Sequence, residues 1–406
     1  AAPAATAPIE PAPAVELKDQ AERAAAVARG EAELAAGHVA AVLVAGGQGS
    51  RLGFEGPKGA YPVGPITDAP LFHFHVRKIL ALSRRHGAPV PFYIMTSEVN
   101  DAATRQCFEE HSFFGLDPAN VVFFKQGVWP ALDADGKIIL DAPGHIFMSP
   151  DGHGGILAAL AKSGAIADME KRGITTVFYF QVDNPLVEVA SPAFIGLHLL
   201  RGADMSIKVC AKRDPQEGLG MMCLRDGRYE MVEYTELTEE QKNRRTPDGE
   251  LYFKFGSVAI HVFDFAFLKR ETTASLPLHL AHKKIATCDA DGNVVKPASP
   301  NGYKFEKFVF DVIPDAARVL DVVFDRAEEF SPVKNAEGSD SPATCRRDLQ
   351  RKWARWLEEC GVAVPRGADG EPAIKIEIDP ATAIDAAALR DYLAGHAIDP
   401  AKDICI

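Results

Sequence analysis

The segment that most constrains this chain runs from His38 to Gly64. It opens with His38–Ala45 (HVAAVLVA), an apolar run whose length and flanks suit a buried strand. The run leads into a glycine-rich loop, VAGGQGSRLGFEGPKGAYPVG, from Val44 to Gly64. Gly46, Gly47 and Gly49 permit left-handed backbone and carry no Cβ, so N–H groups there can approach a phosphate closely. Arg51 offers a planar fork for phosphate oxygens, and Lys58 adds a second positive charge. No G-K-[ST] closes the loop, so it is not a Walker A motif, and its glycines miss the dinucleotide G-x-G-x-x-G register. A tight turn alone is the bland alternative. Three glycines, an Arg and a Pro-Lys pair within fifteen residues of a strand end favour phosphate binding.

Beyond the loop, apolar residues at Leu71, Phe74, Ile79 and Leu82 predict a helix. Strands are predicted at Pro91–Met95, Val121–Phe124, Thr176–Val182 and Met205–Ala211, with helical stretches between most of them, such as Ile156–Arg172. This alternation implies an α/β fold with a largely parallel sheet covered on both faces. After Asp214 the pattern changes. Gly220–Leu224, Arg228–Glu233 and Phe255–Val262 read as antiparallel additions, the first two joined by the turn Arg225-Asp226-Gly227. Residues 1–14 are rich in proline and predict a loose tail, and Val15–Gly37 favours helix. Gly338–Pro342 is the best linker candidate; a helix over Cys345–Cys360 and strand character at Ala373–Ile378 follow it. The expected division is 1–37, a tail and helical segment; 38–340, the main domain; and 341–406, a small C-terminal domain.

Lys and Arg total 44 against 56 Asp and Glu, a formal net charge of −12. Such a chain has no global field for nucleic acid or anionic membrane, so a polyanion must be met by a local positive site. The seven cysteines are scattered and form no C-x-x-C pair. A disulfide framework or structural zinc is therefore not expected, and a reducing compartment is. No apolar run approaches membrane-spanning length, and the Ala/Pro-rich start lacks a basic region followed by an apolar one. A cytoplasmic monomer is the expectation.

The loop segment resembles the signature of the eukaryotic-type UDP-sugar pyrophosphorylase family, most of all its UDP-N-acetylglucosamine branch. The likeness continues through Phe123–Asp133 (FFKQGVWPALD), Ser149–Gly155 (SPDGHGG), Gln181–Val187 (QVDNPLV), Val232–Glu236 (VEYTE), Pro300–Asp311 (PNGYKFEKFVFD) and Glu329–Ala336 (EFSPVKNA), in the family order. It spans roughly residues 40–345, and the combination is far more specific than any one motif. The resemblance implies a Rossmann-like nucleotidyltransferase fold, with a central mixed, mostly parallel sheet flanked by helices and small terminal extensions. It also implies joining UTP and a sugar 1-phosphate into a UDP-sugar and pyrophosphate.

By that resemblance, Gly46, Gly47 and Gly49 hold the UTP phosphates, with Arg51 and Lys58 on the β and γ groups. Gln126 reads the uracil edge and Gly152 lies against it. Asp183 binds Mg²⁺ (or Mn²⁺) at the α-phosphate; the residue-level alternative is an Asx turn before Asn184-Pro185. Lys334 reaches the α-phosphate, although alone it would read as a solvated surface lysine. Glu233 accepts from sugar hydroxyls, and Gly220 lets the ring approach the backbone. Phe308 and Phe310 alternate as one strand face would, and either wall the acyl side of the sugar pocket or pack in the core.

Two positions depart from the N-acetylglucosamine pattern. His153 stands where Asn is common in P-D-G-N-G-G, and Ser257 where Asn follows Gly in the downstream strand. The expected sugar-binding set is thus His153, Gly220, Glu233 and Ser257. N-acetylglucosamine 1-phosphate is the expected sugar; a UDP-glucose or broad UDP-sugar pyrophosphorylase is the alternative, and a non-catalytic nucleotide-sugar-binding protein is a third class. His73 and His75 face different ways on a helix and make a poor metal pair. His279 and His282 are expected to share a helix face in a structural role. Glu239–Arg245 reads as a solvated loop or helix.

Overall fold

The apolar run after His38 forms a strand whose side chains alternate between two cores. Ala41 and Leu43 pack into one, Ala40 and Val42 into the other, as period-two geometry requires of a strand covered on both faces. The computed structural model describes residues 8–289 and 291–406. Among these, eleven strands build the main sheet: β1 (Ile9–Pro11), β2 (Ala14–Glu16), β3 (Val39–Val44), β4 (Phe92–Thr96), β5 (Val121–Lys125), β6 (Thr176–Gln181), β7 (Met205–Ala211), β8 (Gly220–Arg225), β9 (Arg228–Val232), β10 (Phe255–Asp264) and β11 (Val319–Val323).

The main path runs β2-β11-β7-β10-β6-β3-β4-β5. Every neighbouring pair on it is parallel except those made by β10, which runs antiparallel to both β7 and β6. β8 pairs antiparallel with β1, β9 and β10. The sheet is thus mixed and mostly parallel, as expected. Asp226 and Gly227 both have positive φ, 51° and 76°, in the two-residue turn that joins β8 to β9 with the right twist.

Helices α1 (Gln20–Ala35), α2 (Leu71–His86), α3 (Asp101–Glu110), α4 (Ile156–Lys162), α5 (Ala165–Lys171), α6 (Pro192–Arg201) and α7 (Pro342–Glu359) accompany the sheet. Leu71, Phe74, Ile79 and Leu82 of α2 are all buried. The stretch Ile156–Arg172 is two helices rather than one, because Ser163 ends the first and Gly164 turns left-handed at φ 83°. Strand character at Ala373–Ile378 shrinks to Ile376–Glu377. The linker candidate Gly338–Pro342 supplies the start of α7: Ser341 caps it and Pro342 takes the first turn.

Residues 8–14 of the predicted tail are not loose, and residues 1–7 lie outside the described residues. Ile9–Pro11 pairs with Cys223–Arg225 and Ala14–Glu16 with Asp321–Val323. Proline at the end of β1 and just before β2 removes no ladder bond from a strand interior, so edge pairing tolerates it. The helix begins at Gln20, capped by Asp19, and not at Val15.

The C-terminal segment packs on α2 and on the stretch that follows the glycine loop. Cys345, Leu349 and Trp353 join Val63, Leu71 and Phe74 in one apolar cluster. The Glu377 carboxylate accepts from the N–H groups of Ile66 (2.7 Å) and Thr67 (2.9 Å), and Arg77 pairs with Asp379 at 2.8 Å. No helix among the described residues is long and apolar enough to cross a membrane, and all seven cysteines are free.

Helices α1 and α6 approach backbone to backbone. A Cβ on Gly196 would lie 1.7 Å from the Ala26 carbonyl oxygen, and one on Gly30 would lie 1.9 Å from that of Pro192. Gly196→Ala must push the helices apart and is expected to cost about 1–3 kcal/mol in a urea titration. An unchanged midpoint would show that α1 yields without cost.

Candidate active site

Parallel strands β3, β4, β5 and β6 end at the same edge of the sheet, where open α/β sheets gather ligand chemistry. The glycine loop leaves β3 there. Two backbone bonds close it, Gly49 N–H to the Gly56 carbonyl (2.9 Å) and Lys58 N–H to that of Gly47 (3.0 Å). The N–H groups of Gly46, Gly47, Ser50 and Arg51 have no protein acceptor among the described residues. Left-handed backbone occurs at Gly53 (φ 67°), not at Gly46, Gly47 or Gly49. At Gly46 the missing side chain matters for space instead: a Cβ there would stand 3.0 Å from the Gln126 amide.

The loop is fastened by a residue that the sequence reading did not single out. Asn100 is fully buried, and its NH₂ donates to the carbonyls of Ala45 (2.8 Å) and Gly47 (3.2 Å). Its own carbonyl accepts from Ser97 N–H at 2.8 Å. In sequence it looks like an ordinary helix cap, since it directly precedes α3.

Gln126 follows β5, and its side-chain amide has no protein partner among the described residues. The segment holding Gly152 is tied beside it by the bond from Asp151 N–H to the Gly127 carbonyl (3.0 Å). Gly152 has φ 82°, and a Cβ there would meet the Lys307 carbonyl oxygen at 2.5 Å, so no other residue fits. Gly46, Gln126 and Gly152 therefore belong to one rim of the site.

Asp183 comes just after β6. Its carbonyl accepts from Val333 N–H at 2.8 Å, which places Lys334 against the same strand end. Asn184 completes the join from its buried side chain. It donates to the Glu329 carbonyl (2.7 Å) and accepts from Ser331 N–H (3.1 Å). The Asp183 carboxylate accepts no backbone N–H among the described residues, so the Asx-turn alternative is not realised. It faces Lys58 instead, at 3.9 Å, with both side chains largely buried.

A cleft opens at this junction, lined by Asp183, Lys334, His153, Gly220, Glu233 and Ser257 among others. The Glu233 carboxylate lies 3.3 Å from where a Cβ on Gly220 would stand. Burial raises the Glu233 pKa, and the neighbouring Glu236 pushes the same way. His153 accepts Val309 N–H on Nδ1 at 3.2 Å, so its remaining proton is on Nε2. Burial lowers its pKa to about 4 and keeps the ring neutral. β10 bulges beside the cleft: the ladder with β7 shifts register between Ile207 and Val209, and Ala259 takes φ 57°.

Of the remaining candidates, Arg51 is exposed on the loop with no ion-pair partner among the described residues. Phe308 and Phe310 do not share a strand face. Phe310 lies in a 3₁₀ turn, Val309–Asp315, which brings the two rings to 4.9 Å from each other and both against His153. His279 and His282 sit on a strand, His279–Lys283, and not on a helix; cross-strand pairing with Gly302–Glu306 decides this. His279 bonds Asp311 at 2.9 Å, and His282 stacks on Tyr303. His73 and His75 diverge as expected, toward Asp379 and the Val182 carbonyl. Glu239–Asn243 is a short exposed helix.

The donor set suits a hard, oxygen-liganded cation. Among the described residues no three His, Cys, Asp or Glu side chains converge on a point. Asp183, a largely buried carboxylate lining the cleft, fits Mg²⁺, which commonly takes one or two carboxylates and completes its shell with phosphate and water.

A family model described as UTP–glucose-1-phosphate uridylyltransferase matches residues 5–340. The chain belongs to that family. Among relatives, the Homo sapiens UDP-N-acetylhexosamine pyrophosphorylase-like protein 1 is 42% identical over 381 residues, which cover 88% of this chain and 75% of that protein. The Saccharomyces cerevisiae UDP-N-acetylglucosamine pyrophosphorylase is 36% identical, over 84% of this chain and 74% of its own. The crystal structure of the Trypanosoma brucei UDP-N-acetylglucosamine pyrophosphorylase superposes with a TM-score of 0.84 at 29% identity, covering 98% of this chain and 86% of that one.

For this uridylyltransferase-family chain, the amide of Asn184 is needed as both donor and acceptor. Asn184→Asp cannot donate to the Glu329 carbonyl when ionised, and is expected to lower stability by about 1–3 kcal/mol at neutral pH. A denaturation midpoint equal to wild type would show that the two bonds contribute nothing.

Proposed function

We propose that this chain joins UTP and a sugar 1-phosphate into a UDP-sugar and pyrophosphate, with N-acetylglucosamine 1-phosphate as the sugar. The observation that carries the reading is a convergence at one sheet edge. A loop with unpaired N–H groups carries Lys58 to Asp183, and Asp183 lines a cleft together with Lys334 and Glu233. The printed names of the relatives, at 42% and 36% identity, support the N-acetylated sugar.

In the reaction, an oxygen of the sugar phosphate attacks the α-phosphorus of UTP. The bond from that phosphorus to the bridging oxygen breaks, and pyrophosphate leaves with the electron pair. No protein nucleophile is required, so the chain's work is positioning and charge neutralisation. The Gly46–Arg51 loop offers backbone N–H groups to the UTP phosphates, and Arg51 and Lys58 supply charge beside it. Gln126, with a donor and an acceptor on one amide, suits the uracil edge, and Gly152 leaves room for the ring. Lys334 stands where negative charge grows at the α-phosphate. Glu233 accepts from sugar hydroxyls over Gly220. Asp183 would hold Mg²⁺ or Mn²⁺, which when bound neutralises phosphate charge as a Lewis acid.

The reading is tested by pyrophosphate release from UTP with Mg²⁺ and a panel of sugar 1-phosphates. UTP binding without release for any sugar would favour a non-catalytic nucleotide-sugar-binding protein. Lys334→Ala is expected to lower kcat by about 10²–10³ with little change in UTP affinity; near-normal kcat in the folded variant removes Lys334 from the catalytic set. Asp183→Asn should abolish the Mg²⁺ dependence or most activity, because an amide is a poor hard-cation ligand. A wild-type metal titration would refute that role.

Tolerance at the sugar 2-position is also expected. Ser257 is shorter than the asparagine usual there, and His153 spends Nδ1 on Val309, leaving one donor. Fewer bonds to an acetamide leave fewer groups unpaired when it is missing. Comparable kcat/KM for N-acetylglucosamine and glucose 1-phosphates would bear this out. A preference for the N-acetylated sugar by several orders of magnitude would contradict it.

A further inference from the structure

His261 lies on β10 just past the Ala259 bulge, opposite Tyr179 on β6. It is 1% exposed. Its ring stacks on Tyr179 at 5.2 Å and 25°, and meets Phe263 edge-on at 6.1 Å. Nδ1 is sealed with no hydrogen-bond partner. Nε2 has no protein partner among the described residues either, but it is not sealed. The residue lines the same cleft as His153, Ser257, Glu233 and Lys334.

The surroundings give this position no packing reason to be polar. A phenyl ring would keep the stack on Tyr179 and leave no orphan nitrogen. A buried polar group without a partner costs about 1–3 kcal/mol, and such exceptions in a well-packed core need an explanation. Burial, with His153 nearby, lowers the ring's pKa to about 3, so it is a neutral donor–acceptor at any working pH. The bulge at Val258–Ile260 lets β10 bend at the cleft, where a strand's regular pleat would otherwise set the side-chain direction.

We propose that His261 is a specificity-determining residue of the sugar pocket, its Nε2 completing a hydrogen bond with a ring hydroxyl of the bound sugar 1-phosphate. This rests on the uridylyl-transfer reading above and deepens it. A hydroxyl suits either tautomer of the neutral ring, since it can accept from Nε2–H or donate to a bare Nε2, whereas a phosphate oxygen suits only the Nε2–H form.

The test compares the full chain with His261→Phe. The expected result is a fall of about tenfold or more in kcat/KM for N-acetylglucosamine 1-phosphate, with KM for UTP unchanged. Deoxy sugar 1-phosphates name the hydroxyl. One deoxygenation should penalise wild type and add no penalty in His261→Phe. Wild-type kcat/KM in the folded variant, equal losses for UTP and sugar, or identical deoxy penalties in both proteins would overturn the inference. If His261→Phe does not fold, His261→Gln keeps a donor and an acceptor at a different reach. Its ranking of the deoxy sugars should then differ from wild type, and an identical ranking overturns the inference. A wild-type chain that turns over no sugar refutes the proposed function instead. In that event calorimetry decides His261 separately: UDP-N-acetylglucosamine should bind wild type more tightly than the variant, and UMP should bind both alike. Equal binding of the UDP-sugar overturns the inference.

Discussion

One backbone bond, from the amide of Val333 to the carbonyl of Asp183, holds the two halves of the site together. The halves come from strand ends far apart in the chain, and nothing local directs one to the other. Asn184 fixes the same junction with both ends of its amide. Behind it, the buried Glu329 carboxylate is paired with Lys208 and accepts Glu188 N–H. Removing one partner of such a pair leaves a charge that the interior cannot solvate, which makes the segment before Lys334 hard to displace. Lys334 is therefore carried by a rigid frame and, on the proposed reading, need not be ordered at the moment of reaction.

The second constraint is β10. As the antiparallel member between β7 and β6, it starts at the edge where the parallel strands end and runs away from it. Its bulge and the hairpin of β8 and β9 put Ser257, Gly220 and Glu233 beside Asp183. On the proposed reading, the nucleotide side is made by loops after parallel strands, and the sugar side by antiparallel additions. Charge follows the same division. In a chain of net charge −12, the proposal assigns Arg51, Lys58 and Lys334 to the phosphates, and Glu233 and neutral His153 to the sugar.

Much of this was legible in the sequence, for a physical reason. A strand buried on both faces, such as β3 or β6, is written as an unbroken apolar run, and the close approach of Gly46 to Gln126 is written as glycine. Asp-Gly marked the β8–β9 turn because few residues accept positive φ at both positions. What escaped depends on distant partners. Ile9–Pro11 and Ala14–Glu16 read as a loose proline-rich tail because their strand partners lie more than two hundred residues away. His279–Lys283 spaces its histidines as a helix would, and only pairing with Gly302–Glu306 makes it a strand. Neither Asn100 nor Asn184 was singled out by the sequence, since caps and turns are common uses of asparagine. Their real bonds go to backbone that sequence spacing cannot reveal. His261 gave no signal, since a lone histidine in an apolar strand looks like core.

On the proposed reading one junction serves both substrates, the nucleotide on the glycine-loop rim and the sugar in the cleft beyond Asp183. A crystal structure with UDP-N-acetylglucosamine and Mg²⁺ tests it most directly. The expected result is the uracil edge on Gln126 and Gly152, the metal on Asp183, and the sugar over Gly220 against Glu233. A UDP-sugar bound elsewhere, or in reverse with its sugar on the Gln126 rim, would contradict it.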